Sequence, residues 1–225
     1  MADDDEQLEA IKNWWKENGT SFVVTLVVAV AGIFGYQAWQ NQQEASADQA
    51  SVIYEDLVEA VVNDSPLQAL SDDDISTGRF LAGRLQDEYG STGYARLGTL
   101  LLAKLSVEAG DLAGAEKELR WILDNDVDAS LEPIVRLRLA RVLLAQDETD
   151  AAYDVVTVLS EESAFASSIA EVRGDIALAQ GDERGAYDAY LRATEALPEN
   201  SPRPLLEMKR DNLSPADVSV ASEDS

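Results

Sequence analysis

Apolar residues follow two different patterns along this chain. From Asn18 to Gln43 there are 26 consecutive residues without a charge, and Phe22 to Trp39 is dominated by Val, Ala, Ile, Leu and Gly. Beyond Asp48, apolar positions recur every three or four residues between carboxylates and turn residues, the period of amphipathic helices. No stretch alternates convincingly with period two, so the expected fold is all-α: one N-terminal transmembrane helix followed by a helical-repeat solenoid.

Counted as helix, Gly19 to Trp39 spans roughly 31 Å, the thickness of a bilayer hydrocarbon core. Trp14 and Trp15 precede the run while Tyr36 and Trp39 close it, where interfacial aromatics belong. A surface-lying helix would need a charged face, which the run lacks. A cleaved signal peptide would offer Ala45-Ser46-Ala47 as its cleavage site, but the preceding tail is long and acidic and the apolar stretch overlong for one. The reading is a membrane anchor over residues 19–40. Its orientation follows from the basic residues: Lys12 and Lys16 sit just before the span, and the next is Arg79. That puts residues 1–18 in the cytoplasm and residues 41–213 in the periplasm of a bacterium.

After the anchor, Asp48 to Val62 reads as a helix continuing outward, broken at Asn63-Asp64-Ser65-Pro66. The run Asp72-Asp73-Asp74 is expected to cap a helix from Thr77 to Glu88. From Gly93 a repeat emerges. Gly110-Asp111-Leu112-Ala113-Gly114-Ala115, Gln146-Asp147-Glu148-Thr149-Asp150-Ala151 and Gly181-Asp182-Glu183-Arg184-Gly185-Ala186 share one form, with alanines 36 and 35 residues apart. A helix precedes each turn (Tyr94 to Ala109, Pro133 to Ala145, Phe165 to Gln180) and another follows. The aspartate caps the second helix, and Ala115, Ala151 and Ala186 let antiparallel helices cross closely. Twelve residues before Ala115 and Ala186 stand Ala103 and Gly174. The middle repeat has Leu139 there, with Ala140 one step on. Pro198 follows Ala186 by twelve. Units of this length resemble the tetratricopeptide repeat, with repeats at about residues 94–126, 131–163 and 165–198. A closing helix over 205–213 covers the last apolar face, and 214–225 is an acidic tail expected to be disordered.

Charge and chemistry narrow the function. Asp and Glu total 43 against 17 Lys and Arg, a net charge of −26, and such a field excludes phosphate backbones and hence nucleic acid. With no cysteine and no histidine, thiol nucleophiles, disulfides, thiolate metal sites and the commonest general base are absent. Asp124-Asn125-Asp126-Val127-Asp128 begins like a calcium loop, but Ala129 and Val135 stand where Gly and Glu are required. No nucleotide-binding, nucleophile-elbow or zincin motif occurs. We expect no catalytic residue, cofactor or metal. The remaining chemistry is binding: Lys104, Arg141 and Asp175 directly follow the small packing residues and should recur along the groove lined by each repeat's first helix.

Glu9-Ala10-Ile11-Lys12-Asn13-Trp14-Trp15-Lys16-Glu17-Asn18-Gly19, the span closing with Gly35-Tyr36-Gln37-Ala38-Trp39, and the repeat motifs together resemble the YfgM-type ancillary subunits of the SecYEG translocon. Leu137-Arg138-Leu139-Ala140-Arg141-Val142, Arg173-Gly174-Asp175, Glu207-Met208-Lys209 and Asn212-Leu213 add to the likeness, which covers nearly the whole chain. The resemblance implies a single-pass inner-membrane protein associated with SecYEG and with the periplasmic prolyl-isomerase-like chaperone PpiD. Such a protein helps translocating client polypeptides reach periplasmic chaperones. The alternative from the residues alone is a membrane-anchored repeat scaffold for envelope assembly or cell division.

Overall fold

The computed structural model describes residues 2–62, 70–161, 163–199 and 201–213, and of residues 2–11, 13, 21 and 22 only the backbone. The expected break at residues 63–66 and the tail after residue 213 lie outside the described residues. Among the described residues there is no strand, and the helices in chain order are α1 (Ala2–Val61), α2 (Asp72–Tyr89), α3 (Gly93–Glu108), α4 (Leu112–Asp124), α5 (Glu132–Ala145), α6 (Thr149–Thr157), α7 (Ala166–Ala179), α8 (Glu183–Glu195) and α9 (Pro204–Asp211). The chain divides into two compact units, Met1–Gln49 and Ala50–Ser225.

The first unit is the N-terminal part of α1. Val23, Val24, Leu26, Val27, Val28, Val30, Ile33 and Phe34 are all exposed along it. A soluble helix turns such side chains into a core; here they form an apolar cylinder that a hydrocarbon environment stabilises. Among the described residues this is one helix long and apolar enough to cross a membrane. Tyr36 and Trp39 stack near its end with ring centroids 5.9 Å apart.

The second unit begins with the last turns of α1. Ala50, Ile53, Leu57 and Val61 are buried at helical spacing against Ala82 and Leu85 of α2 and Ala95, Leu102 and Leu105 of α3. Helix α2 starts five residues before the expected Thr77. Ser71 is its cap, its hydroxyl accepting from the Asp74 N–H at 3.2 Å while the Asp74 carboxylate accepts the Ser71 N–H at 3.2 Å. Asp72, Asp73 and Asp74 therefore lie inside the first turn, where carboxylates favour the positive end of the helix dipole.

Three helical hairpins follow: α3 with α4, α5 with α6, and α7 with α8. A continuous apolar core runs through α3 to α7, including Ala103, Leu119, Leu139, Leu143, Val156 and Ile176. Ala186, Tyr190, Ala193 and Leu206 extend the packing to α9. Leu206 has no exposed surface, so it anchors the closing helix with roughly 2 kcal/mol of apolar burial.

The turns inside the hairpins explain the repeat pattern and correct its middle register. After α3, Gly110 adopts φ +76°, its N–H donates to Val107 O at 3.0 Å, and the Asp111 N–H donates to Ser106 O at 2.8 Å. After α7, Gly181 at φ +79° does the same: its N–H reaches Leu178 O at 3.0 Å and the Asp182 N–H reaches Ala177 O at 2.9 Å. This is the Schellman helix stop, which needs a left-handed residue and so favours glycine. In the middle hairpin Asp147 takes that conformation at φ +63°, with the Asp147 N–H on Leu144 O at 3.1 Å and the Glu148 N–H on Leu143 O at 2.9 Å.

Asp147 is thus the counterpart of Gly110 and Gly181, not of Asp111 and Asp182. The expected packing residue Ala151 shifts accordingly: it is half-buried in the first turn of α6, and Ala152, fully buried, holds the place of Ala115 and Ala186. With Ala152 the small residue twelve earlier is Ala140, which is also fully buried. Ala151 instead corresponds to Gly114 and Gly185, whose N–H groups are capped by Asp111 at 2.9 Å and Asp182 at 2.8 Å. Those carboxylates leave no room for a Cβ, whereas Glu148 makes no side-chain cap and tolerates alanine beside it.

Candidate functional site

The first helices of the first two hairpins, α3 and α5, with α4 beneath them, enclose a groove pocket of about 370 Å³. Its floor is apolar: Leu100, Ala103, Leu112, Leu119 and Val142 line it. Its rim carries Lys104 from α3 with Arg138 and Arg141 from α5, and the carboxylate of Glu108. The expected groove residues Lys104 and Arg141 are therefore brought together at one opening. Arg138 joins them because it stands one turn before Arg141 on the same helix face. That i, i+3 spacing is legible in the sequence.

Each rim cation has a different state. Lys104 pairs with Glu108 across one turn at 3.2 Å, both half-exposed. Arg141 reaches Glu171 at 3.8 Å. Arg138 pairs with no carboxylate among the described residues. Arg138 is exposed overall, and partial desolvation, then the charge of Arg141 beside it, lowers its pKa from the ordinary guanidinium value. An arginine so perturbed is still cationic at neutral pH.

Asp175, the third expected groove residue, does not line this pocket. It belongs to a charged cluster that fastens α9. Asp175 Oδ1 accepts from the Tyr190 hydroxyl at 2.7 Å and from Lys209 Nζ at 2.7 Å. Lys209 also meets Glu171 Oε1 at 3.2 Å, and Arg203 meets Glu171 Oε2 at 2.7 Å. Glu171 is only 4% exposed, so its charge stands on these cations. Lys209 also sits 5.7 Å from the Tyr190 ring centroid. Burial, then the hydrogen bond to Asp175 and the charges of Asp175 and Glu171, push the Tyr190 phenol well above its ordinary pKa. Sequence alone did not reveal this cluster: its partners lie up to 38 residues apart.

The remaining motifs take structural places. Asp124 ends α4 and Asn125 to Asp128 lie in the connection to α5, with Asp128 3.8 Å from Arg96. Arg173, Gly174 and Asp175 lie within α7, and Arg173 pairs with Glu161. Gln146 at the end of α5 donates to Glu116 of α4 at 3.0 Å. Hydrogen bonds from Arg120 and then Gln146 hold the Glu116 carboxyl below its usual pKa.

Successive helical hairpins, stacked through small residues and closed by a short helix, define a helical-repeat protein. The family model described as a tetratricopeptide repeat-like domain matches residues 12–215, and the chain belongs to that family. Among curated proteins it is similar to the ancillary SecYEG translocon subunit of Escherichia coli (strain K12), 29% identical over 94% of this chain and 97% of that one. The ancillary SecYEG translocon subunit of Neisseria gonorrhoeae is 29% identical over 94% and 97% of the two chains. That of Aggregatibacter actinomycetemcomitans is 32% identical over 86% of this chain and 89% of its own. No solved structure matches the chain.

Proposed function

We propose that this protein is an ancillary subunit of the SecYEG translocon, held in the bacterial inner membrane by α1 with its repeat domain in the periplasm. It acts as a non-catalytic scaffold that helps pass newly translocated polypeptides to periplasmic chaperones, including one of the PpiD type. The observation that carries this reading is the extent of the likeness. Chains named as ancillary translocon subunits align with 94% of this one, which takes in both the apolar helix and the repeats. The orientation rests on Lys12 and Lys16 preceding the apolar run, with the next basic residue at Arg79. A scaffold also fits the composition, since neither His nor Cys is available for chemistry.

Mild-detergent purification of the full-length protein, followed by mass spectrometry of what co-elutes, tests the proposal. SecYEG should co-elute, and should be lost when residues 19–39 are replaced by an unrelated apolar span of equal length. Co-elution of division or outer-membrane assembly proteins without the channel overturns it.

A further inference from the structure

We propose that α9 is a releasable strap, and that Arg141 of α5 competes with the strap's own Arg203 and Lys209 for one shared carboxylate, Glu171.

The strap is held by little besides charge. At eight residues α9 is shorter than helices that persist alone in water, so it is a helix only while docked. Among its residues Leu206 is the buried one, packed with Ala186, Tyr190 and Ala193 of α8, while Leu205, Glu207 and Met208 are exposed. Its first turn has no side-chain cap. The chain before it carries Pro198 and Pro202, which cannot continue α8 into α9. The core that runs through α3 to α7 contains no residue of α9. The hydrogen bond from Tyr190 to Asp175, 2.7 Å, joins α8 to α7 independently of it. Hence α9 can leave while the repeats stay folded.

The ion cluster beneath the strap is overfilled. Glu171 and Asp175, one turn apart on α7, bring two negative charges, and Lys209, Arg203 and Arg141 bring three positive ones. Two of these cations approach the same atom: Glu171 Oε2 lies 2.7 Å from Arg203 and 3.8 Å from Arg141. That oxygen is buried, yet among the described residues no hydrogen bond of good geometry reaches it. Either guanidinium could satisfy it by closing in, but each repels the other from the place.

With the strap docked, Arg203 is the nearer, and Arg141 stands at the opening between α3 and α5. When the strap leaves, Arg203 and Lys209 go with it, and Arg141 is the cation left within reach of that carboxylate. Arg141 then closes on Glu171 and withdraws from the opening. Release of the C-terminal helix is thus felt one repeat away, through a side chain with two alternative places.

Hydrogen–deuterium exchange read by mass spectrometry, on the full-length protein in detergent micelles, tests this. In the parent, the amides of α9 should exchange at least about tenfold faster than those of α7 and α8, as a unit that opens by itself. Lys209→Met should speed α9 about tenfold more, the loss of a charge-assisted contact. Arg141→Met should act in the opposite sense and slow α9 about threefold, because it relieves repulsion in the docked state and removes the pair formed in the released one. In a Glu171→Gln background Arg141→Met should change nothing, since the contested charge is gone. Helices α7 and α8 are read in the same samples, so a variant that loosens the whole domain is distinguished from one that frees the strap. Faster exchange of α9 in Arg141→Met overturns the proposal, for Arg141 is then one more fastening and no competitor. Exchange of α9 at the rate of α7 and α8, no response to Lys209→Met, or an Arg141 effect that survives Glu171→Gln overturns it as well.

Discussion

Gly174 and Gly83 are both helical glycines, but they should respond to alanine in opposite ways. A Cβ on Gly174 would lie 2.6 Å from Cδ1 and 3.1 Å from Cζ of the Tyr190 ring. That ring has no room to yield: Tyr190 is fully buried, its hydroxyl is held by Asp175 at 2.7 Å, and Lys209 lies over its face. Forcing a methyl into such packing costs about 1–3 kcal/mol. The gain in helix propensity, about 1 kcal/mol, offsets part of it. Gly83, inside α2, has nothing within 4 Å of its would-be Cβ and receives only the gain. Propensity cancels between the two variants, so their difference is the packing cost alone. For a chain of this size it amounts to roughly 2–12 °C in melting temperature. Far-UV circular dichroism melts and urea titrations of Gly174→Ala and Gly83→Ala beside the parent measure it. If Gly174→Ala melts at or above Gly83→Ala, the close crossing of α7 and α8 is not what requires glycine, and the reasoning fails.

The corrected middle register predicts that Ala152→Leu destabilises by about 1–3 kcal/mol while Ala151→Leu, half-buried, changes stability by less than about 1 kcal/mol, as read by urea denaturation. Because Asp147 holds a left-handed conformation, Asp147→Gly should gain up to about 1 kcal/mol, and Gly110→Ala at the equivalent first stop should lose about as much. Raised in the folded state, the Tyr190 pKa favours the neutral phenol. Its contribution is full below the unfolded tyrosine value near about 10 and is lost as pH rises beyond that. Melting temperatures across alkaline pH should therefore fall more steeply for the parent than for Tyr190→Phe, in which Asp175 keeps Lys209.

Much of the architecture was legible because it depends on local chemistry. An uncharged run of 26 residues has no use in an acidic soluble core, so length and composition suffice to mark the span. Helix stops and caps involve residues within one turn of one another. The pattern of Gly or Gln, Asp, a turn residue and Ala accordingly located all three hairpins, and the run Asp72 to Asp74 marked the start of α2 to within five residues, though the cap itself is Ser71.

Tertiary structure decided what depends on contacts between helices. Asp111 and Asp147 look equivalent in a string of letters, but only backbone geometry shows that one caps a helix and the other ends one. Ala151 and Ala152 are chemically identical neighbours, and only the packing of α5 against α6 selects the second. Lys104 and Arg141 were placed on one face by their spacing from the small residues, yet the apolar floor beneath them is made partly by Leu112 and Leu119 of a different helix. Asp175 occupies the same repeat position, but α9 supplies Lys209 and makes it part of a fastening rather than of the open pocket. Sequence determines the approximate repeat length, the places where helices turn and the span, because those arise within a turn or from bulk transfer into lipid. Which side chains share a pocket follows from how neighbouring helices cross, and that is fixed only when the repeats stack.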